Sequence, residues 1–169
     1  MPTAIGARSW ARSSSSARDA VIDPTVRRCD GDAGDVAQLR ELEAEARAAL
    51  TDQRGGARWL IEHPPVGDGW TQRCSTADVW LAHIGDVVVG YLVAELGDDR
   101  VLRIDQVWVS AAAREIGFGD ALLAAATESG RQRGAIAIEG QSLPGDRQTK
   151  NLYERAGIVA RLITTYREL

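Results

Sequence analysis

The chain has 169 residues, of which 44% are hydrophobic and 26% charged, and its formal net charge is −4. This length fits one domain whose core needs no disulfide or metal, and the composition excludes a disordered or fibrous protein. The acidic balance argues against nucleic acid or an anionic membrane as partner, and no apolar run approaches the roughly 20 residues that span a bilayer.

Residues 1–23 are rich in arginine and serine and have no apolar centre, unlike a secretory signal peptide. We expect this segment to be a disordered tail, with a single domain over residues 24–169. A transit peptide is the alternative, because the segment has no acidic residue before Asp19. Cys29 and Cys74 lack metal-ligand spacing, which predicts reduced thiols, no metal and a cytoplasmic protein.

The first half of the domain predicts one strand and one long helix. Residues 25–29 alternate like a short strand. Residues 32–50 have apolar side chains at helical spacing, and Asp32 or Asp35 can cap this helix. Its charged side chains are expected on the opposite, exposed side: Arg40, Glu41, Glu43, Glu45 and Arg47. Residues 57–63 predict one or two helical turns, and residues 66–77 predict a loop.

Three β-rich runs follow, over residues 78–84, 87–96 and 101–109. Gly85-Asp86 and residues 97–100 separate them, and both connections are typical of hairpins. The three runs therefore predict an antiparallel meander.

The last third of the chain alternates helices and strands. Residues 117–133 predict a helix that Gly134 ends. Residues 135–141 predict a buried strand parallel to 101–109, because a helix connects the two. A second helix over 147–156 and a closing strand over 159–169 complete a mixed sheet with helices on its faces.

Arg114, Gly117 and Gly119 lie between the third β-rich run and the following helix. Glycines allow close backbone approach, and unpaired N–H groups with the helix dipole favour an anion, so this turn predicts a pyrophosphate site. We expect a side chain at either glycine to fill that site. The turn lacks the lysine of a P-loop and the third glycine of a dinucleotide fingerprint.

The chain resembles the GCN5-related N-acetyltransferase (GNAT) superfamily. Residues 107–110 followed by Arg114-Glu115-Ile116-Gly117-Phe118-Gly119 resemble its acetyl-CoA motif, and residues 151–157 resemble its second motif, a helix that carries a tyrosine. The resemblance implies an α/β (or α+β) fold with a mostly antiparallel mixed sheet of about 6–7 strands and about 4 helices.

The resemblance also implies that acetyl-CoA is the cosubstrate. The pantetheine arm is expected along the edge of the third β-rich run, and the pyrophosphate on the turn that follows. The expected coenzyme-binding residues are Val107, Trp108, Val109, Arg114, Glu115, Ile116, Gly117, Phe118, Gly119, Asp120 and Asn151.

Two residues are candidates for the chemistry. Amine transfer needs a base, and Asp105 is the best carboxylate because it shares strand parity with Val107 and Val109. Glu95, or a base acting through water, is the alternative. Tyr153 occupies the position from which a phenol would protonate the leaving thiolate, while packing of its helix is the other interpretation.

The other aromatic and imidazole side chains are less informative. His63 and His83 are isolated in the sequence and are interpreted as surface residues. Trp70, which lies in a glycine-rich stretch, is a candidate to line an acceptor pocket.

These features favour an N-acetyltransferase that transfers acetyl directly to a primary amine of a small molecule, peptide or protein. A non-catalytic acyl-CoA-binding regulatory domain is the alternative. An RNA-directed toxin is disfavoured because no basic stripe is present. Whether the protein forms a homodimer is left open.

Overall fold

A computed structural model of the chain describes residues 24–167. The predicted tail, 1–23, lies outside the described residues. The elements in chain order are β1 (Thr25–Arg28), α1 (Ala33–Thr51), α2 (Gly56–Glu62), α3 (Trp70–Thr76), β2 (Asp78–Ile84), β3 (Val87–Leu96), β4 (Val101–Val109), α4 (Phe118–Gln132), β5 (Ala137–Gly140) and α5 (Arg147–Arg155). Single 3-10 turns lie at Gly67–Gly69 and Ala111–Ala113.

The strands form one mixed sheet in the order β1-β2-β3-β4-β5. Strands β1 to β4 are antiparallel neighbours, and β5 runs parallel to β4, as the connecting helix α4 predicted. The mixed, mostly antiparallel fold class is confirmed. Within residues 24–167 the sheet has five strands, fewer than expected, and there are five α-helices.

Part of the difference in strand number arises near the carboxyl end of the chain. Residues 159–167 form no strand, so that prediction is wrong for the described part of the segment, and residues 168 and 169 lie outside it. Leu162 and Ile163 are exposed there. Alternation gives strand propensity, but a strand also needs a partner edge, and the neighbouring strand β5 is only four residues long.

The second correction concerns residues 66–77, predicted as a loop. They form a 3-10 turn and helix α3 instead. Trp70 and Cys74 are one helical turn apart and both are buried, so packing of one face stabilises the helix. Trp70 is fully buried with no exposed surface, and the expectation that it lines an acceptor pocket is therefore wrong.

Each face of the sheet carries its own hydrophobic core. Helices α4 and α5 cover one face, where Phe118, Leu122 and Tyr153 pack on Leu92 and Leu102. Helices α1 and α3 cover the other, where Leu39 and Trp70 pack on Val79, Leu81 and Tyr91. Cys29 and Cys74 lie in this second core as free thiols, and burial raises the pKa of Cys29 to about 12.

Helix α1 begins as predicted, but of the five charged side chains expected on its exposed side only Arg40 and Glu41 are exposed, while Glu45 and Arg47 are half-buried. The Asp32 carboxylate accepts a hydrogen bond from the Asp35 N–H and so caps the helix. Glu43, expected on the exposed side, is buried. Its carboxylate accepts from the N–H groups of Val66 (2.6 Å) and Gly67 (2.9 Å) and from the Trp70 indole (3.0 Å). Glu43 thereby fixes the chain between α2 and α3.

Candidate functional site

Strands β4 and β5 part midway along β4. Val101 to Ile104 pair with Ala137 to Gly140, and β5 ends there. Residues 105–109 continue β4 beyond the last pair, bonded to β3 on one side only. A strand edge of this kind leaves backbone N–H and C=O groups free for an extended, amide-rich ligand.

A β-bulge lies at the same point of β4. Gln106 pairs with Val93 and Ile104 pairs with Ala94, so Asp105 is the extra residue. Val107 and Val109 consequently pack against the α4 core together with Leu102 and Ile104, although their sequence parity is opposite.

The bulge overturns one expectation about Asp105. This residue was expected on the same face as Val107 and Val109, because residues at even spacing share a face in a regular strand. Asp105 instead lines a cavity on the opposite face, together with Gln106. Counting residues along the strand therefore could not predict which face Asp105 occupies, because the bulge is seen only in the register of β3 against β4.

The amino end of α4 presents free hydrogen-bond donors. The first intrahelical bond runs from the Ala121 N–H to the Gly117 carbonyl (3.0 Å), so the N–H groups of Phe118, Gly119 and Asp120 precede the helical ladder. Gly117 has a left-handed φ of 98° and Glu115 one of 65°. The arrangement is suited to an anion such as pyrophosphate.

Two charged side chains frame this turn. The Arg114 Nε donates to the Val109 carbonyl (2.9 Å), and its guanidinium lies over the Trp108 ring, 4.4 Å from the centroid. Asp120 accepts two hydrogen bonds of 3.0 Å from Arg155 of α5. Arg155 therefore offsets the one carboxylate on the first turn of the helix.

A side chain at Gly119 would not occupy the space that the sequence predicted. A Cβ atom built on it would lie 3.4 Å from the Leu152 side chain and 3.9 Å from Val109. It therefore points toward the packing between α4, α5 and β4, and not into the anion site. A Cβ at this position would make ordinary van der Waals contacts.

Tyr153 lies at the point where β4 and β5 part. Tyr153 belongs to α5, and its ring is buried. The ring packs against Gly140, the last residue of β5, which pairs with Ile104 of β4. Burial raises the pKa of the phenol above its usual value, so the hydroxyl stays protonated near neutral pH. Asn151, two residues earlier, is exposed.

A cavity of about 310 Å³ lies on the face of β4 opposite helices α4 and α5. Its volume is near the lower end of small-molecule sites. The rings of Trp59 and His63 stack at 4.3 Å between centroids, with 9° between their planes. The lining residues come from α1, α2, α3, β4 and the 63–66 segment: Arg47, Trp59, Glu62, His63, Pro64, Val66, Arg73, Asp105 and Gln106.

Arg73 of α3 joins two strands beside this cavity. Its Nη2 lies 2.8 Å from the Asp105 carboxylate, and its Nη1 contacts the carboxylate of Glu95 on β3. Asp105 and Glu95, the two base candidates, thus share one guanidinium. Arg47 bonds to the backbone, unlike Arg73. It donates to the carbonyls of His63 (2.7 Å) and Leu60 (3.1 Å), and these hydrogen bonds anchor the end of α2.

Sequence reasoning missed four contributors to this region: Trp59, His63 as a cavity residue, Arg73 and Gly140. The spacing of Trp59 and His63, four residues apart, was a signal that their rings could stack on one helix face. Nothing in the sequence marked Arg73 or Gly140, because each acts on a residue far away along the chain.

The described residues 24–167 contain no group of three or more His, Cys, Asp or Glu side chains placed to hold a metal ion. Over the same part of the chain, every helix is too short or too polar to cross a bilayer.

Comparison with protein families finds a match over residues 37–158 to the model described as the acetyltransferase (GNAT) family. No curated protein sequence matches significantly.

Solved structures give further likenesses. A ribosomal-protein-alanine N-acetyltransferase from Brucella melitensis biovar Abortus 2308 is 14% identical over 87% of this chain and 99% of that one, with a TM-score of 0.65. The aminoglycoside N-acetyltransferase AAC(6')-Iy in complex with CoA is 14% identical over 86% of this chain and 99% of that one, with a TM-score of 0.60.

A third structural relative is named as a regulator and not as an acetyltransferase. A transcriptional regulator from Bacillus halodurans C-125 is 20% identical over 87% of this chain and 100% of that one, with a TM-score of 0.62. At these identities the three likenesses show a shared fold.

Proposed function

The chain belongs to the acetyltransferase (GNAT) family, and on this premise we propose that it transfers an acetyl group from acetyl-CoA to a primary amine. The observation that carries the proposal is the parting of β4 and β5 at Ile104 and Gly140. The free strand edge begins at that point beside the Tyr153 phenol, and it ends at Val109, near the first turn of α4.

The residues present fit the coenzyme. Backbone groups of Val107, Trp108 and Val109 are proposed to pair with the amide-rich pantetheine arm. The turn over residues 114–120 is proposed to hold the pyrophosphate through the unpaired N–H groups at the start of α4. Arg114 supplies positive charge nearby, and exposed Asn151 is proposed as a further coenzyme contact. When bound, acetyl-CoA supplies an activated acyl group and a thiolate leaving group.

Tyr153 is proposed as the acid that protonates that thiolate. Its phenol lies at the end of β5, and burial keeps its pKa raised, so the proton is available near neutral pH. The other interpretation, packing alone, predicts that removing the hydroxyl changes stability and leaves turnover intact.

Asp105 is proposed as the carboxylate that meets the acceptor. It lines the cavity across β4, and the β-bulge turns it away from the coenzyme side. A carboxylate there attracts a protonated amine. Glu95 is held by the same Arg73 and is not among the cavity-lining residues, so we rank it second.

The cavity volume indicates the size of the acceptor. About 310 Å³ suits a small amine or the terminal residue of a peptide. The names of two structural relatives refer to aminoglycosides and to a ribosomal-protein alanine, so both kinds of amine are used within this fold. A homodimer and a cytoplasmic location stay predictions.

A non-catalytic acyl-CoA-binding domain is the second candidate, because one structural relative is named a transcriptional regulator. The two functions share coenzyme binding and differ in turnover.

The deciding experiment follows free thiol while the chain is mixed with acetyl-CoA and a panel of amines: kanamycin, spermidine, tyramine and an alanine-terminated peptide. Amine-dependent thiol release with a matching acetylated product supports the transferase. Saturable acetyl-CoA binding without thiol release supports the binding domain.

A further inference from the structure

His63 occupies a fixed position in the cavity wall. It follows the last residue of α2 and is half-buried, with its ring stacked on Trp59. Its Nδ1 lies 2.9 Å from the Trp59 carbonyl oxygen. Arg47 donates to the His63 backbone carbonyl and holds the same residue from α1. The ring therefore has little freedom to rotate.

The contact with Trp59 determines which ring nitrogen carries the proton. A carbonyl oxygen can only accept, so Nδ1 must be the donor. In the neutral imidazole the proton is then on Nδ1, and Nε2 has a free lone pair. His63 lines the same cavity as Asp105, so this tautomer places an imidazole with an unshared Nε2 lone pair in the wall of the proposed acceptor pocket.

Asp105 is less suited to that task because it is already paired. Its carboxylate lies 2.8 Å from Arg73, which also contacts Glu95. The Asp105 Oδ2 atom already accepts a hydrogen bond from the Arg73 guanidinium, so this oxygen is engaged before any amine binds. Asp105 can still attract and orient a cationic amine, since two carboxylates share the single charge of Arg73.

We propose that Nε2 of His63 is the base that takes the proton of the acceptor amine, with Asp105 orienting the ammonium. This inference rests on the transferase function proposed above. It assigns the base to the residue that follows α2, outside both motifs that the sequence presents, and makes the stacked Trp59 a positioning residue.

The ammonium gives one proton to Nε2 of His63, and the neutral amine forms the new N–C bond as the thioester C–S bond breaks. The nitrogen loses a second proton to solvent as the amide forms. This proton balances the one that the thiolate takes from the Tyr153 hydroxyl. Solvent restores Tyr153 and receives the proton of His63, so the net reaction releases one proton.

The charged groups facing His63 come from four elements. They are Arg47 of α1, Glu62 of α2, Arg73 of α3 and Asp105 of β4, two cations and two carboxylates. A base with this role gives an acidic limb in kcat, a fall of activity with decreasing pH that depends on this residue.

The first test reads the tautomer without any acceptor. Long-range 1H–15N NMR on the full chain with labelled histidine, at mildly alkaline pH, reports which ring nitrogen is protonated. His63→Gln and His83→Gln assign the signals, because these are the only two histidines. We expect Nδ1–H at His63, and the opposite tautomer overturns the proposal.

The second test measures turnover with the most active amine of the panel. His63→Gln should lower kcat by about 100-fold or more, remove the acidic limb and leave acetyl-CoA affinity unchanged. His83→Gln is the matched control, because the His83 Nδ1 also contacts a carbonyl, that of Gly85 (3.0 Å), at an exposed hairpin.

Two results contradict the proposal in different ways. Full kcat with an intact acidic limb in His63→Gln refutes the base while the transferase function stands. Absence of thiol release by the wild-type chain with every amine, despite acetyl-CoA binding, refutes the transferase function and the base with it.

Discussion

The phenol of Tyr153 lies so close to Gly140 that a Cβ atom added to the glycine would be 2.7 Å from the hydroxyl oxygen and 2.6 Å from Cζ. Gly140 is also the last residue of β5 and pairs with Ile104, where β4 and β5 part. The glycine thus sets where the hydroxyl lies relative to the free edge of β4.

Gly140→Ala should displace the Tyr153 ring and lower kcat. Overpacking of a buried site costs about 1–3 kcal/mol, so we expect a comparable loss of unfolding free energy. We expect kcat to fall at least about tenfold, the equivalent of 1.36 kcal/mol. Steady-state kinetics and urea unfolding measure both effects. Unchanged kcat in a folded variant would show that the phenol position does not matter for transfer.

Tyr153→Phe should lower kcat by about 100-fold while the Kd of acetyl-CoA stays the same. The pH profile adds a second expectation. An acid is lost as pH rises through its pKa, and burial raises the pKa of Tyr153 above the ordinary value of about 10. The wild-type chain should therefore show no alkaline loss of kcat from this group below about pH 10. Retention of turnover in Tyr153→Phe would favour a packing role.

Gly117→Ala should weaken coenzyme binding. Gly117 adopts φ 98°, and a left-handed residue with a Cβ costs about 1–2 kcal/mol, so the turn before α4 should shift. We expect the Kd of acetyl-CoA to rise about tenfold in calorimetry. Gly134→Ala is the matched control, because Gly134 follows the other end of α4 with φ 87°. Equal Kd changes in both variants would mean that the turn has no specific part in binding.

Asp105→Asn should raise the KM of the amine. A hydrogen bond to a charged group contributes about 1.5–3 kcal/mol, so we expect kcat/KM to fall about tenfold or more. Glu95→Gln should have a much smaller effect, since Glu95 does not line the cavity and its ion pair with Arg73 is solvent-exposed. A larger effect of Glu95→Gln than of Asp105→Asn would reverse the assignment.

Glu43→Gln should destabilise the wall of the acceptor cavity. The buried carboxylate accepts from two backbone N–H groups and the Trp70 indole, and an amide cannot satisfy all three. We expect the free energy of unfolding to fall by about 2 kcal/mol in urea titrations. Glu41→Gln, an exposed change on the same helix, should cost under about 0.5 kcal/mol.

The local patterns predicted most of the fold. The meander, the crossover helix α4 and the parallel strand β5 follow from alternation, turn residues and helical spacing, which are properties of neighbouring residues. The Asp32 cap follows for the same reason. The turn before α4 likewise lies in one short stretch, so its geometry could be predicted from three residues.

Features that depend on distant partners could not be predicted. The bulge at Asp105 changes which face the residue occupies, and it is visible only in the register of β3 against β4. Glu43 reads as an exposed helix residue until its donors from the α2–α3 segment are known. The segment 159–167 was predicted as a strand from its own alternating pattern. It forms no strand, because it has no partner edge to pair with.

The central claim is that acetyl-CoA binds where β4 separates from β5, with its pyrophosphate at the start of α4. Hydrogen–deuterium exchange with and without acetyl-CoA tests it most directly. We expect slower exchange at residues 107–109 and 115–120 and no change at the exposed hairpin of Gly85. Binding without protection of those two segments, or no binding at concentrations far above micromolar, would contradict it.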